Sequence, residues 1–401
     1  MIKATKCIPG GQALAILPSG KKCFFWGTLP GEIVADYIVT KTKSHYLEAI
    51  ALKIASPSPY RILPKDECFL STSPWQIMDY QYELKLKQEL VVEIFREHKI
   101  NISTPQIYTD NQDYYYRNKM EYALYWDNHE SKIRLAFHQR GSHRKIPISG
   151  SSIERPEIFR KASEIIDNLN REGEEARKYQ SLILRCNQNG ELSGGLYENH
   201  RPHPSFPNLV DRIMEREYSY SPNGFFQINL PVYEMALREI AQHITTGEVL
   251  DLYAGVGTIG LSVARDHTLT LVEVDKNAFR ELENNIVEAK KEESVNYQNH
   301  QTVIRNGNIT AILDKSENVT EYLKQNQTVI LDPPRSGCDE KLINRLLEVC
   351  PAKIIYLSCN PATQARDTER LLAKYHLDTV KTYNFFPRTP HIENLLVFSL
   401  D

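Results

Sequence analysis

Four runs in the second half of the chain are almost unbroken apolar stretches: VLDLY (249–253), TLTLVEV (268–274), TVILD (328–332) and KIIYLS (353–358). Strands that are buried on both faces read this way, and such strands occur in parallel sheets covered by helices. Helical patterns follow the first two runs, and KLINRLLEV (341–349) separates the last two. Alternating strand and helix over this length predicts a doubly wound α/β unit spanning 226–401.

The rest of the chain has a different texture. Residues 1–55 carry short strand-like runs such as EIVADYIV and HYLEAIALKI, punctuated by Pro9-Gly10-Gly11, Pro18-Ser19-Gly20 and Leu29-Pro30-Gly31. Even spacing of short strands in so few residues predicts a small β-barrel. Lys21, Lys22, Lys41 and Lys43 near its turns suit either a nucleic-acid face or plain solvation. The linker ASPSPYRILP (55–64) precedes a mixed α+β region over 56–225. Within it, Tyr80 to His98 has Leu84, Val91, Ile94 and Phe95 at helical spacing, with Lys85, Lys87 and Glu93 between them. Part of 80–120 is expected to pack with the C-terminal unit. Strands are expected at EYALYW, IRLAFHQR and SLILRC, and a helix near 157–170. The loop FHQRGSHRKIP (137–147) concentrates Arg140, Arg144 and Lys145, and reads as a phosphate contact or a solvated loop. His138 and His143 lack the carboxylate or thiol that a metal site needs.

Composition excludes some classes. The net charge of −3 rules out a protein that is basic throughout, while leaving room for local basic stretches. The seven cysteines have no paired spacing, so reduced thiols and a cytoplasmic location are expected. No run approaches a membrane span, and MIKATKCIPGGQA lacks the apolar core of a signal peptide.

The first C-terminal strand runs into Gly255, Gly257 and Gly260, a G-x-G-x-x-G between strand and helix. Glycines there let a ligand approach the backbone, and Glu273 at the end of the second strand can accept hydrogen bonds from both ribose hydroxyls. Taken alone, this suits a nicotinamide-dependent dehydrogenase. Asp251 beside the loop, however, favours a cationic ligand over a pyrophosphate, and adenosylmethionine combines adenine, ribose and a sulfonium. Downstream, Asp332-Pro333-Pro334-Arg335 follows one strand and Cys359 the next, while His391 and Glu393 precede the last apolar run. Arg335 stands where amine-methylating enzymes carry an aromatic residue.

A methyl donor, a cysteine and a glutamate at one rim suit methylation of a uracil C5. Thiolate attack on C6 makes C5 nucleophilic, and a base must later remove the C5 proton. Cys359 would be the nucleophile and Glu393 the base. A free thiol is only a few per cent ionised at neutral pH, so the fold is expected to activate Cys359.

The motifs LDLYAGVGTIGL, ILDPPRSG, SCNPATQARD and PHIENLLVF, with YRNKMEY (116–122) and GFFQIN (224–229), resemble the adenosylmethionine-dependent RNA uridine-5-methyltransferases. The resemblance covers nearly the whole chain, and the N-terminal unit resembles the TRAM domain, an RNA-binding OB-like barrel. It implies roles for Cys359 as nucleophile and Glu393 as proton acceptor. It also implies a cofactor and base pocket of Gln227, Tyr253, Gly255, Gly257, Thr258, Glu273, Asn308 and Asp332. The TRAM-bearing branch points to 23S ribosomal RNA, with transfer RNA second. A catalytically idle RNA-binding protein is the reading outside catalysis.

One departure stands out. Many members of this family hold an iron–sulfur cluster on four cysteines. Anchored on Trp75-Gln76, three of those positions fall here on Pro64, Leu70 and Ser73, and the fourth near 148–152. Cys68 is out of register, and one thiolate cannot hold a cluster. No cluster is expected, with ordinary packing in its place. The target uridine must leave its stack to be reached. Phe225, Phe226 and Tyr114-Tyr115-Tyr116 are candidate stacking residues or core residues. A monomer acting on RNA, with no membrane partner, completes the expectation.

Overall fold

The computed structural model describes residues 1–289, 295–298, 301–306 and 308–401, and side chains outside 289–307 and 320. Strands β1 (Ile2–Cys7), β2 (Ala13–Ile16), β3 (Lys22–Trp26), β4 (Ile33–Thr42) and β5 (Tyr46–Ser56) close into a barrel in the order β1-β2-β3-β5-β4. Its interior holds Ile2, Ala15, Cys23, Phe25, Val34 and Ala49. A one-turn helix α1 (Phe69–Thr72), the long helix α2 (Tyr80–Glu97) and a short strand β6 (Gln106–Tyr108) follow.

The central unit comprises β7 (Lys119–Asp127), β8 (Lys132–His138), β9 (Lys145–Pro147), α3 (Pro156–Arg171), β10 (Tyr179–Cys186) and β11 (Leu192–Glu198). Its sheet runs β11-β10-β7-β8-β9. The apolar stripe of α3 (Ile158, Ala162, Ile166, Leu169) packs against Leu135, Leu182 and Leu184 of that sheet.

A hairpin of β12 (Leu209–Ile213) and β13 (Arg216–Tyr220) leads through α4 (Leu230–Gln242) into the α/β unit. There the chain forms β14 (Glu248–Leu252), α5 (Thr258–Val263), β15 (Thr268–Glu273), α6 (Lys276–Ala289), β16 (Val295–Gln298), β17 (Gln301–Asn306), β18 (Ile309–Leu313) and β19 (Thr328–Leu331). It continues through α7 (Glu340–Val349), β20 (Lys353–Ser358), α8 (Pro361–Leu371), β21 (Tyr375–Tyr383) and β22 (Glu393–Leu400). The sheet order is β16-β17-β18-β15-β14-β19-β20-β22-β21-β6. Strands β18, β15, β14, β19 and β20 are parallel, and β22 then runs antiparallel to both β20 and β21. Because β14 lies between β15 and β19, the winding reverses beside it, and ligands of such sheets bind at the carboxyl ends there.

Two upstream segments join this unit. Strand β6 pairs with β21, and Leu86, Leu90, Val91 and Phe95 of α2 share a core with Ile354, Tyr356, Leu396 and Phe398. Leu209, Ile213, Tyr218 and Tyr220 of the hairpin pack with Val249, Leu261 and Ile286 on the opposite face. The C-terminal core thus includes residues before the expected boundary at 226, because both faces of its sheet need cover.

Lys87 departs from its expected place between the apolar positions of α2. It is fully buried beside Glu83, with Nζ 3.0 Å from the carboxylate, and donates to Asn384 Oδ1 at 2.6 Å and the Phe386 carbonyl at 3.1 Å. Burial pushes Glu83 up and Lys87 down, and their mutual attraction opposes both shifts. Glu83 also accepts the Arg388 N–H at 3.0 Å, so the pair clamps the loop between β21 and β22. Lys87→Met strands a buried carboxylate and should lower stability by about 3–5 kcal/mol. Adding Glu83→Gln should recover much of that loss, as read by denaturant unfolding.

The cluster-like loops are tied by a polar hub in addition to apolar packing. Gln76 Oε1 accepts the N–H groups of Lys65 and Asp66 at 2.9 and 3.1 Å, and its amide donates to Asp66 at 2.8 Å and Ser73 at 2.7 Å. Asp66 also accepts the Ser151 hydroxyl at 3.2 Å and the Ser152 N–H at 3.0 Å, which joins the two segments. Two of the three basic side chains in the loop at 137–147 are engaged within the chain. Arg140 lies 4.1 Å over the Trp26 ring and donates to the Leu70 carbonyl, and Lys145 donates to the Leu124 carbonyl at 2.9 Å.

Candidate active site

The carboxyl edge of the central strands collects the chemistry. Strand β20 ends at Ser358, which pairs with Asn394 of antiparallel β22, so the next rung falls on Cys359 and Glu393. Directly opposed residues in such a ladder have Cα atoms about 4.5–5.5 Å apart. Asn360 caps α8 by accepting the Ala362 N–H at 3.2 Å, and Pro361 is suited to the first helical turn. The Asn360 amide donates to the Arg335 carbonyl at 2.7 Å, which holds the Pro-Pro-Arg lip against the Cys359 turn. Gln364 and Asn394 join side chain to side chain at 2.8 Å, and Gln364 also donates to the Tyr356 carbonyl at 2.8 Å. The strand that presents Glu393 is thereby locked to the helix that follows Cys359.

Asp332 emerges one residue past Leu331, which pairs with Tyr356 of β20 and with Leu252 of β14. It is buried, as is Glu393. Burial pushes Asp332 up to about 7. Burial, and then the charge of Asp332, push Glu393 well above the usual carboxylate range, against the pull of Arg335. The Cys359 thiol is pushed up to about 11 by burial and by the charges of Glu393 and Asp332, while Arg335 acts in the opposite direction. Burial, then the two acids, outweigh the Arg335 guanidinium, so these groups by themselves do not supply the expected activation of Cys359. His391, 3.4 Å from Arg335, is pushed down to about 4 by burial and by that guanidinium, so it is neutral at pH 7.

The glycine loop after β14 forms the other half of the edge. An added Cβ at Gly257 would lie 2.5 Å from Leu282 Cδ1, and one at Gly260 would lie 2.7 Å from Asp251 Oδ2. Those two glycines serve helix packing. Gly255 faces open space, which leaves its backbone approachable. Glu273 accepts the N–H groups of Gly255, Val274 and Asp275 at 2.7, 2.8 and 2.7 Å. With roughly four acceptor sites on a carboxylate, it has room for one further hydroxyl, not the two expected. Asp251 accepts the Gly260 N–H at 2.8 Å, and its other oxygen is buried with no partner among the described residues. Burial, with the charges of Asp332 and Glu273, pushes it up to about 8. The charges of Asp332 and Glu273 thus surround Asp251, an edge suited to a cation.

Tyr253 takes a left-handed backbone (φ +64°), rare for a tyrosine, and its phenol lies near Cys338 and Asp339. Thr258 opens α5 and is buried. Gln227 is held through its carbonyl, which accepts the Asn118 amide at 3.2 Å. Lys119 donates to the carbonyls of Asn223 and Gly224 at 2.8 and 3.1 Å, and Arg185 to that of Phe226 at 2.5 Å, so YRNKMEY and GFFQIN are two sides of one clasp.

Asn308 must be corrected. It precedes β18, its carbonyl accepts the Leu269 N–H at 2.9 Å, and its amide donates to the His267 carbonyl. That is the amino end of the parallel strands, roughly 15–20 Å from the carboxyl edge at about 3.3 Å per residue. The adjacent Gly307 lies outside the described residues. What β18 delivers to the edge is Asp314, whose N–H donates to the Glu273 carbonyl at 3.1 Å. Only the direction of β18 reveals this. Of the aromatic candidates, Tyr114, Tyr116 and Phe226 are buried, Phe226 stacking on Tyr220 at 3.9 Å. Phe225 is 75% exposed and Tyr115 is 49% exposed.

Fold and edge together define a class, a doubly wound α/β methyltransferase with an N-terminal OB-like barrel. Residues 208–399 match the family described as tRNA (Uracil-5-)-methyltransferase. An uncharacterized RNA methyltransferase of Prochlorococcus marinus is 26% identical over 92% of this chain and 98% of its own. One from Lactobacillus johnsonii is 28% identical over 94% of this chain and 93% of its own. The crystal structure of Pyrococcus abyssi tRNA (uracil-54, C5)-methyltransferase with S-adenosyl-L-homocysteine superposes with a TM-score of 0.75, covering 99% of this chain and 100% of that one at 20% identity. Over these residues the chain is similar to the tRNA (uracil-5-)-methyltransferase family, and along nearly its whole length to RNA methyltransferases.

Proposed function

We propose that the chain methylates C5 of a uridine in structured RNA through covalent catalysis by Cys359, with Glu393 as the base. The observation that carries this is the pairing of Ser358 with Asn394, one residue before Cys359 and one after Glu393, beside Asp332 and Arg335. When bound, adenosylmethionine supplies an electrophilic methyl on a sulfonium. The edge suits it: Gly255 leaves its backbone open, Glu273 has an acceptor site for a ribose hydroxyl, and Asp251, Asp332 and Glu273 favour positive charge. Gln227, Tyr253, Gly257 and Thr258 frame the same pocket in this reading.

The thiolate of Cys359 adds to C6 of the uracil, and the electrons displaced onto C5 and the ring carbonyl make C5 a nucleophile that takes the methyl. Asp332 and Glu393 are both raised by burial and so are strong proton acceptors when ionised: Asp332 takes the thiol proton, and Glu393 stays charged for the C5 proton. Glu393 removes the C5 proton, C5–C6 becomes a double bond again, and the C6–S bond breaks. Arg335 favours the thiolate throughout.

Large-subunit ribosomal RNA is the first candidate, on the resemblance of the barrel. Transfer RNA is the second reading, favoured by the likeness to the Pyrococcus enzyme along 99% of this chain, barrel included. To separate them, unmodified transcripts of both are incubated with the protein and adenosylmethionine, and 5-methyluridine is quantified by nucleoside mass spectrometry. Product on one transcript class names the substrate. Methylation at any position other than uridine C5 would sink the reading.

A further inference from the structure

Cys359 opens into a cavity of about 220 Å3, and two of its lining residues, Pro9 and Gly10, belong to the barrel. Arg335, Asn360 and His391 line it too, with Leu90, Ile94 and Ile392 giving it an apolar side. The size falls below the roughly 300–1,000 Å3 of pockets for drug-sized ligands and suits a single flat base. The turn is locked in place. Gly11 has φ +94°, its carbonyl accepts the Trp75 indole N–H at 3.1 Å, and an added Cβ would lie 2.3 Å from Pro390 Cβ. The Trp75 N–H donates to the Arg388 carbonyl at 3.1 Å, so turn, tryptophan and the loop before Glu393 form one unit. Cys7 is buried among Trp75, Ile77, Leu86 and Leu90, and Lys6 pairs with Glu93 of α2. Gly10, at φ +96°, has nothing within 4 Å of where a Cβ would stand.

We infer that the Pro9–Gly11 turn of the barrel is a wall of the catalytic pocket, and that Gly10 sets what enters it, admitting a flipped uracil between the barrel and the Arg335–His391 lip. This rests on the uridine reading above. The barrel then does more than hold RNA: it completes the site in which the base reacts. Gly11 is a positioning residue, because the loop it presses on leads through His391 to Glu393.

The test compares Gly10→Asn with Gly20→Asn in the full chain. Asparagine tolerates positive φ better than most residues. Gly20, at φ +78° with equally open space, lies in a barrel turn outside the cavity, so it controls for backbone strain. Two readouts are taken, with thermal melting as the folding check. The first is the rate of Cys359 alkylation by iodoacetamide, followed by peptide mass spectrometry with Cys350 as internal reference. The second is kcat/KM for uridine methylation. Gly10→Asn should slow alkylation of Cys359 alone and lower kcat/KM by about 10- to 100-fold, the scale of a pocket misfit, while Gly20→Asn changes neither. Should Gly10→Asn not fold, Gly10→Ala carries the same comparison. Unchanged alkylation in the Gly10 variant overturns the wall, and slowed alkylation with unchanged methylation overturns its part in substrate entry. If the wild type methylates no uridine, the uridine reading fails, and alkylation still decides whether the turn walls the Cys359 cavity.

Discussion

Cys359→Ala is expected to reduce uridine methylation by roughly 10^4-fold or more, since without the sulfur C5 has no route to nucleophilic character. Cofactor affinity and melting temperature should stay close to wild type, because the side chain is small and makes no structural hydrogen bond that α8 depends on. The helix is capped by Asn360 and held by Gln364, which the substitution leaves in place. The decisive measurement is a denaturing gel of protein with RNA carrying 5-fluorouridine at the target. Fluorine at C5 cannot be removed as a proton, so the wild type should remain covalently joined to it. Cys359→Ala should form no such band, and a band from the variant would mean that another nucleophile does the work.

Glu393→Gln should lower turnover by about 10^2- to 10^4-fold, the usual worth of a positioned general base, and should trap the methylated adduct on ordinary RNA. The amide keeps the shape of the side chain but cannot accept the C5 proton, so the C6–S bond cannot be released. The same variant tests the electrostatics. In the wild type, Glu393 helps push the Cys359 thiol up to about 11, and burial pushes Asp332 up to about 7. Ionised Asp332 and an ionised thiol both favour attack, so methylation should rise with pH from about pH 6 and keep rising toward the thiol's value of about 11. Glutamine is uncharged at every pH, so wherever Glu393 would be ionised the variant's thiol pKa is lower and adduct formation should speed up while product release stops. A variant that turns over normally would remove Glu393 from the mechanism.

Much of this architecture is written into local sequence. The apolar runs at 249–253, 268–274, 328–332 and 353–358 became parallel strands because their residues suit burial on both faces, and the Pro/Gly turns of residues 1–55 became barrel corners. Cys359 and Glu393, the proposed catalytic pair, each adjoin a strand end, which is where the sequence expected them. Asn308 misled because a motif position says nothing about which end of a strand it occupies, and β18 puts it at the amino end. Lys87 misled because helical spacing assumes that one face of a helix meets water, whereas α2 is enclosed and its lysine is satisfied by Glu83, Asn384 and Phe386.

The chain by itself determined the class of fold and the barrel, because periodicity and turn residues act over a few neighbouring positions. The tertiary structure alone decided how those side chains stand toward one another. Pairing of Ser358 with Asn394 brings Cys359 to Glu393, enclosure of two carboxyls raises the thiol instead of lowering it, and packing of Gly11 on Pro390 brings a barrel turn to the pocket. Charge interactions and enclosure depend on distances through space between residues far apart in the chain, and no local pattern encodes them.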